Sequence, residues 1–117
     1  MNPSINHDKQ VIEMSCPACG GPVSQIDIDG SIREYECLVG HRYSSLTLLS
    51  GHSDTQERAL WAAVVALEES KVMVRSIAKD ISPNALKRLE EQADEKHGLA
   101  QEIRSILTRL KPFHLDP

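Results

Sequence analysis

The sequence predicts an α+β fold in which a small β-hairpin module precedes a long antiparallel two-helix hairpin. Three observations support this prediction. All three cysteines lie between residues 16 and 37, close to glycines that favour tight turns. The stretch QIDIDGSIREYE between them alternates apolar and polar residues around Asp29-Gly30, which is typical of a β-hairpin. After about residue 53, apolar residues recur at intervals of three and four, which indicates helices.

Length and composition agree with a chain of two parts. The 117 residues suffice for one modest domain or two small modules, and only 3% are aromatic, so the core must depend on aliphatic side chains. Such a core suits helix packing. We expect a flexible N-terminal segment over residues 1–13, the cysteine-containing module over 14–50, the helical hairpin over 53–111 and a C-terminal tail over 112–117.

Two short turns carry the candidate metal ligands. In Cys16-Pro-Ala-Cys19 the spacing lets both sulfurs face one point, and two glycines follow. In Cys37-Leu-Val-Gly-His41 an imidazole replaces the last thiolate, and Gly40 supplies the bend. Cys16, Cys19, Cys37 and His41 therefore predict a tetrahedral site for a structural zinc ion, and the module is predicted to be a zinc ribbon: a β-hairpin with two knuckles.

The hairpin is expected to bring the two turns together. Its predicted apolar face is too small to fold without a metal; it consists of Ile26, Ile28, Ile32 and Tyr35. Iron is an alternative, because sulfur-rich tetrahedral sites also suit it, but a histidine ligand favours zinc. A further alternative is that the four residues bind no metal and are three ordinary buried or free cysteines and a surface histidine.

Four protein ligands would leave no coordination position for water or substrate. We therefore expect no catalysis at the metal, no enzymatic activity and no further cofactor. The other four histidines each lie in polar sequence, where a solvated or capping role is expected; they are His7, His52, His97 and His114. His52 lies nearest the ribbon and is the alternative fourth ligand.

The helices have clear start and stop signals. Ser53 and Gln56 resemble a capping box, and the helix that they open is expected to reach Ile81. Ser82 and Pro83 then predict the N-cap and first residue of a second helix, which continues to about Lys111. Heptad-like seams are predicted at Leu60, Val64, Leu67, Val74, Ala78 and Ile81 in the first helix, and at Leu86, Leu89, Ala93, Ala100, Ile103, Leu107 and Leu110 in the second.

The antiparallel pairing places Lys71 opposite Lys96, so this layer is expected to open to solvent or to meet a carboxylate. Beside the seam lie further apolar residues that one partner helix cannot cover: Trp61, Val65, Val72 and Met73. We expect two covers for them: the ribbon near Trp61, and a second copy of the hairpin in a homodimer through the helices. A monomer with a partly exposed stripe is the alternative.

Charge and hydropathy limit the partners. The net charge is −4, and the first 45 residues carry three cations against six carboxylates, so nucleic-acid binding is not expected. No apolar run approaches the roughly 20 residues that span a bilayer, and the N-terminal residues lack the apolar centre of a signal peptide. We expect a cytoplasmic protein without membrane contact.

Five segments of the chain resemble the C-terminal extension of some bacterial chemotaxis protein-glutamate methylesterases of the CheB type. They are CPACGG, YECLVGHRYS, LTLL, ERALWAAVVALEES and RSILTRL, and the resemblance extends from about residue 14 to 110. It implies an accessory module that works beside a signalling enzyme or its receptors. This chain contains no Gly-rich nucleophile turn, so the methylesterase activity is not carried over.

We therefore expect a non-catalytic zinc-binding adaptor in bacterial signalling that acts through protein–protein contacts, with a methylesterase or chemoreceptor component as its partner. A zinc-ribbon transcription regulator is one alternative, although the acidic ribbon opposes it. A thiol redox switch is another, in which oxidation of Cys16 or Cys19 ejects the metal.

Overall fold

A computed structural model describes residues 9–30 and 32–113. It confirms the predicted α+β fold, because a four-stranded antiparallel sheet with strand order β1-β2-β3-β4 precedes two long helices. The elements are β1 (Lys9–Ser15), β2 (Pro22–Ile28), β3 (Ile32–Cys37), β4 (Arg42–Ser44), α1 (Ser45–Ser76), a 3₁₀ turn (Ala78–Asp80) and α2 (Pro83–Arg109).

The chain forms two compact units. Among the described residues, the ribbon unit comprises residues 9–55 together with 112 and 113, and the helical unit comprises Gln56–Lys111. The division falls within α1, so the first turns of this helix belong to the ribbon unit.

β1 is a strand that the sequence analysis did not predict. Residues 9–12, which were expected to lie in a flexible segment, pair with β2, and Ile12 lies opposite Val23. The pairing shifts register between Ile12 and Ser15, just before the first cysteine turn. Most β1 side chains are exposed. An exposed strand does not require apolar residues at every second position, and β1 therefore lacks the regular alternation that identifies a half-buried strand.

The β2–β3 hairpin turns at Asp29 and Gly30, as predicted, and both residues have a positive φ, of 53° and 72°. However, Ile28 pairs with Ile32, so three residues separate the strands rather than the two that we expected. This register places Val23 opposite Cys37, and both side chains are buried. A shift by one residue would turn the side chains of β3 to the other face of the sheet.

The sheet has one apolar and one charged face. Buried Cys16, Val23 and Cys37 form the core of the apolar face, with Ile12, Met14, Tyr35 and Tyr43 packed against them. The predicted apolar face was therefore wrong in part. Of the four predicted residues, Tyr35 packs against this core, Ile26 is buried but lies three positions from Val23 and so on the opposite face, and Ile32 is largely exposed.

Ion pairs connect three strands across the charged face. Glu36 of β3 accepts a hydrogen bond from Lys9 of β1 and another from Arg42 of β4, each at 2.8 Å. These bonds, first from Lys9 and then from Arg42, lower the pKa of Glu36. The carboxylate thus ties both edge strands to the centre of the sheet.

α1 begins earlier than predicted. Its first residue is Ser45, and the helix continues without a break through Ser53, where we expected it to start. The backbone N–H of Thr47 donates to Ser44 Oγ at 3.1 Å, and the backbone N–H of Ser44 donates to Thr47 Oγ1 at 2.8 Å. Ser44 and Thr47 thus form the reciprocal pattern of a capping box, which we had assigned to Ser53 and Gln56.

The connection between the helices follows the predicted signals closely. α1 ends at Ser76 rather than at Ile81, and the 3₁₀ turn Ala78–Asp80 lies between the two helices. Ser82 is the N-cap of α2, where its Oγ accepts a hydrogen bond from the backbone N–H of Ala85, and Pro83 is the first helical residue. α2 ends at Arg109, two residues before the predicted end.

The helices contact each other in antiparallel order. Lys71 Nζ lies 3.3 Å from Asp94 Oδ1, and Glu68 Oε1 lies 3.5 Å from His97 Nδ1. Of the predicted seam, Val64, Ala93 and Ala100 are buried and the other apolar positions are half-buried. At the predicted layer of two lysines, Lys71 meets the carboxylate of Asp94 and Lys96 is exposed to solvent, in agreement with the expectation for this layer.

Within the part of the chain that the structure describes, neither helix offers a stretch long and apolar enough to cross a membrane.

Candidate metal centre

The first cysteine turn joins β1 to β2. Its ends are closed by two backbone hydrogen bonds, from Cys16 N to Gly21 O at 2.8 Å and from Gly20 N to Cys16 O at 2.7 Å. Gly20 has a φ of 78°, in the left-handed region that favours glycine. The turn therefore holds Cys16 and Cys19 on one side of a short, well-defined loop.

The second turn joins β3 to β4 in the same way. The N–H of Cys37 donates to His41 O at 3.0 Å, and the N–H of Gly40, whose φ is 105°, donates to Cys37 O at 3.1 Å. The backbone N–H of His41 also donates to Cys37 Sγ at 3.2 Å. The turn thus places both side chains at one end and donates a hydrogen bond to one of the sulfurs.

Sheet pairing brings the two turns together. One ligand atom from each of Cys16, Cys19, Cys37 and His41 lies within 4.8 Å of all the others. The Sγ atoms of Cys19 and Cys37 are 3.8 Å apart, and His41 Nδ1 is 3.2 Å from Cys37 Sγ and 3.7 Å from Cys16 Sγ. All three cysteines are free. The four residues singled out by their spacing therefore form one cluster.

These separations fit a tetrahedral metal ion. Metal–sulfur bonds of about 2.3 Å and metal–nitrogen bonds of about 2.0 Å put neighbouring ligand atoms roughly 3.5–3.8 Å apart. The measured distances of 3.2–3.8 Å lie close to this range. Nδ1 is the ring nitrogen of His41 that faces the sulfurs. The cluster is thus a group of residues that can hold a metal ion.

Hydrogen bonds favour the thiolate forms of the two buried cysteines. Burial opposes ionisation of Cys16, but the hydroxyl of Tyr43 and the backbone N–H groups of Cys19 and Ala18 outweigh it, so the pKa of Cys16 is lowered. Burial likewise opposes ionisation of Cys37, while the backbone N–H of His41 contributes most to lowering its pKa. Because metals bind thiolates, the lowered pKa values of Cys16 and Cys37 favour metal binding by both sulfurs.

Cys19 has the opposite electrostatic environment. The backbone N–H of Gly21 favours its thiolate, but desolvation within the cluster and the nearby sulfurs of Cys16 and Cys37 outweigh this and raise the pKa of Cys19. Three sulfurs so close together cannot all ionise easily unless a cation compensates their charge. Cys16 and Cys37 are buried, whereas Cys19 and His41 are exposed, so the site has a buried side and a solvent side.

Tyr43 is a functional residue that the sequence analysis missed. Its hydroxyl lies 3.1 Å from Cys16 Sγ, and this hydrogen bond raises the pKa of Tyr43, as expected for an O–H that donates to a thiolate. The signal was present in the sequence, because Tyr43 follows the ligand His41 by two residues and so lies in the strand that leaves the second turn.

The other histidines lie outside the cluster wherever the structure describes them. His52 is in the first turns of α1 and His97 is in α2, beside Glu68 and Gln101. His7 and His114 fall outside the described residues. Among the described residues, the four predicted ligands are the only group of three or more His, Cys, Asp or Glu side chains with metal-binding geometry.

Comparison with known proteins yields no match to a family model, to a curated protein or to a solved structure. The resemblance to the extension of CheB-type methylesterases therefore stays a prediction from five sequence segments.

Proposed function

We propose that this protein is a non-catalytic zinc-binding module that acts through protein–protein contacts. The observation that carries the proposal is the arrangement of four protein ligands, three sulfurs and one imidazole nitrogen, from two turns of one sheet. A bound zinc ion would cross-link these turns and balance the charge of the thiolates. A complete set of four protein ligands is typical of structural zinc sites, whereas catalytic sites keep an open position.

The chemistry of the ligands favours zinc over iron. A single small site with three thiolates and one imidazole suits zinc, whereas iron–sulfur sites are usually built from cysteines alone. The lowered pKa values of Cys16 and Cys37 agree with either metal, because both require thiolates. Zinc is thus the ion that the ligand set supports best.

Metal analysis of the purified full chain tests this proposal. We expect one zinc per chain in the wild type and a marked loss in His41→Ala, because that variant removes one of the four ligands. His52→Ala is the matched control, since His52 is the alternative fourth ligand but lies outside the cluster, and it should retain one zinc. Absence of bound metal in the wild type, or loss only in His52→Ala, would refute the assigned ligand set.

The helical unit supports a role in protein binding. Trp61, Val65 and Val72 recur along α1 and have exposed fractions of 42%, 54% and 62%. Met73 is 60% exposed. Large apolar side chains that recur along a helix are typical of surfaces that another protein covers. A second copy of the chain could cover them in a homodimer, since most seam positions in this unit are only half-buried.

Light scattering over a range of concentrations tests the dimer, with Val65→Glu and Val72→Glu as variants. Both should shift the molar mass towards the monomer. A wild type that stays monomeric at high concentration would refute this part of the proposal.

The signalling role rests on the sequence segments that resemble methylesterase extensions. Co-purification with a methylesterase or chemoreceptor component is the expected result, and loss of zinc should weaken that complex.

A thiol redox switch is a second candidate, favoured by the exposure of Cys19. Its Sγ lies 3.8 Å from that of Cys37, so a peroxide could oxidise this pair to a disulfide. The two metal-bound thiolates would lose two electrons and form the sulfur–sulfur bond, hydrogen peroxide would take up these electrons and two protons from water to become two water molecules, and the site would release its metal. Stoichiometric zinc release at low peroxide, accompanied by a Cys19–Cys37 disulfide detected by mass spectrometry, would favour this function over a purely structural site.

A further inference from the structure

The first turns of α1, residues 45–55, form part of the ribbon unit and are here called the docked start of α1. We propose that metal occupancy controls whether this segment is helical, so that metal binding sets the length of α1. The inference rests on the metal site proposed above. It assigns to that site a regulatory consequence beyond holding the sheet together.

The docked start contacts the first cysteine turn directly. A Cβ atom added at Gly51 would lie 2.8 Å from Pro17 Cγ and 2.9 Å from Pro17 Cβ, so the helix backbone passes unusually close to the proline ring. Pro17 lies between the ligands Cys16 and Cys19. Its ring is fixed to the backbone and cannot rotate away. The helix therefore packs against the element whose conformation a metal would fix.

Burial shows that this contact is part of a packed region. Leu48 and Ser53 have exposed fractions of only 6% and 8%. The backbone N–H of Phe113 donates to Ser53 Oγ at 3.3 Å, so the docked start also holds the chain that follows α2. Loss of the docking would therefore release two segments, the beginning of α1 and the residues near Phe113.

The docked start has little helical tendency of its own. Seven of its eleven residues are Ser, Thr, Gly or Asp, which are poor helix formers. In contrast, Ala, Leu, Glu, Gln, Lys, Arg and Met dominate residues 56–76 of the same helix. Tertiary contacts must therefore stabilise the helix over residues 45–55, whereas the later turns can form from local preference and packing against α2.

A metal links these observations. Without it, the first turn depends on the small apolar cluster that the candidate ligands Cys16 and Cys37 form with Val23. If the turn becomes mobile, Pro17 no longer presents a fixed surface to Gly51, and the weak helix is free to unwind. Because such coupling is reciprocal, docking of the helix must also strengthen metal binding.

Hydrogen exchange measured by mass spectrometry on the full chain tests the proposal, with zinc bound and after zinc removal by EDTA. Amides of residues 48–55 should lose protection when zinc is removed, while those of residues 60–74 and 87–107 should keep theirs. Unchanged protection of residues 48–55, with zinc release confirmed by metal analysis, would overturn this inference and leave the metal site intact. Absence of zinc from the purified protein would overturn both.

Two glycine variants test the same coupling from the helix side. Gly51→Ala places a methyl group against Pro17, whereas Gly98→Ala in α2 places it in open space. Zinc affinity, measured by competition with a chromophoric chelator, should fall on the order of tenfold in Gly51→Ala and stay unchanged in Gly98→Ala. Equal affinities in the two variants would contradict the coupling. If Gly51→Ala folds poorly, hydrogen exchange of the wild type still decides the question.

Discussion

The ribbon unit and the helical unit hold themselves together by different means. In the ribbon unit, the buried cluster on the apolar face of the sheet consists of Cys16, Val23 and Cys37, of which two are candidate metal ligands, and ion pairs connect the strands on the opposite face. In the helical unit, the buried side chains are Val64, Ala93 and Ala100, within a seam of aliphatic residues. If the proposed metal site is correct, the stability of the first unit depends on metal binding, whereas that of the second depends on apolar packing.

Aromatic residues are distributed so that each unit can be observed separately. The single tryptophan, Trp61, lies in the helical unit, where Arg104 stacks over its ring at 5.5 Å. Both tyrosines, Tyr35 and Tyr43, pack against the core of the ribbon unit. Tyrosine near-ultraviolet circular dichroism therefore reports on the ribbon unit, and tryptophan fluorescence reports on the helical unit.

The largest expected effect is that of metal removal. Binding of a structural zinc contributes on the order of 10 kcal/mol in small domains, far more than the ribbon core can supply. Chelation should therefore abolish the tyrosine signal while the emission of Trp61 and most of the far-ultraviolet helix signal persist. Excess zinc should restore the tyrosine signal. Simultaneous loss of both signals would show that the helical unit also depends on the metal.

A substitution in the helical seam should destabilise the helical unit and leave the ribbon unit folded. Val64 is 1% exposed, so Val64→Ala removes buried methyl groups and leaves a small cavity that costs about 2–3 kcal/mol. The thermal transition of Trp61 fluorescence should shift to lower temperature, while zinc content stays at one per chain. Leu99→Ala in α2 is the control, because Leu99 is 50% exposed and lies outside both the seam and the proposed dimer surface, so its truncation should change stability by less than about 0.5 kcal/mol. Equal effects of the two variants would contradict the assigned seam.

The two regions also differ in what the sequence could reveal. The cluster of Cys16, Cys19, Cys37 and His41 was predictable because metal binding imposes local spacing, and the seam was predictable because helix packing imposes a period. The docked start of α1 was not, since most of its residues are poor helix formers and Gly51 lies against Pro17, which is far away in the sequence. β1 was missed for a similar reason: its identity as a strand depends on pairing with β2.

An intermediate effect is expected at Tyr43, which contacts a ligand without being one. Tyr43→Phe removes the hydroxyl that lies 3.1 Å from Cys16 Sγ and favours its thiolate. Loss of such a contact typically weakens metal binding by roughly 10-fold to 100-fold, and we expect a value near the lower limit because backbone N–H groups still favour the thiolate. Competition with a chelator measures the change. Tyr35→Phe, in the same core, should bind zinc as tightly as the wild type.

The smallest effect is expected on the charged face of the sheet. Glu36→Gln weakens the bonds to Lys9 and Arg42, but because both cations are more than half exposed, the loss should be below about 1 kcal/mol. Since the folded-state pKa of Glu36 is lowered, its contribution is complete at neutral pH and disappears as the pH falls through that pKa.

A high salt concentration distinguishes the contribution of these ion pairs to stability from that of the metal. At neutral pH the difference in thermal stability between wild type and Glu36→Gln should shrink in 1 M sodium chloride, because salt screens partly exposed charges. Zinc content should be the same in both proteins. A loss of zinc in Glu36→Gln, or a salt-independent difference above about 2 kcal/mol, would mean that the ion pairs hold the ligand turns in place, and the ribbon unit would then depend on its charged face as well as on its metal.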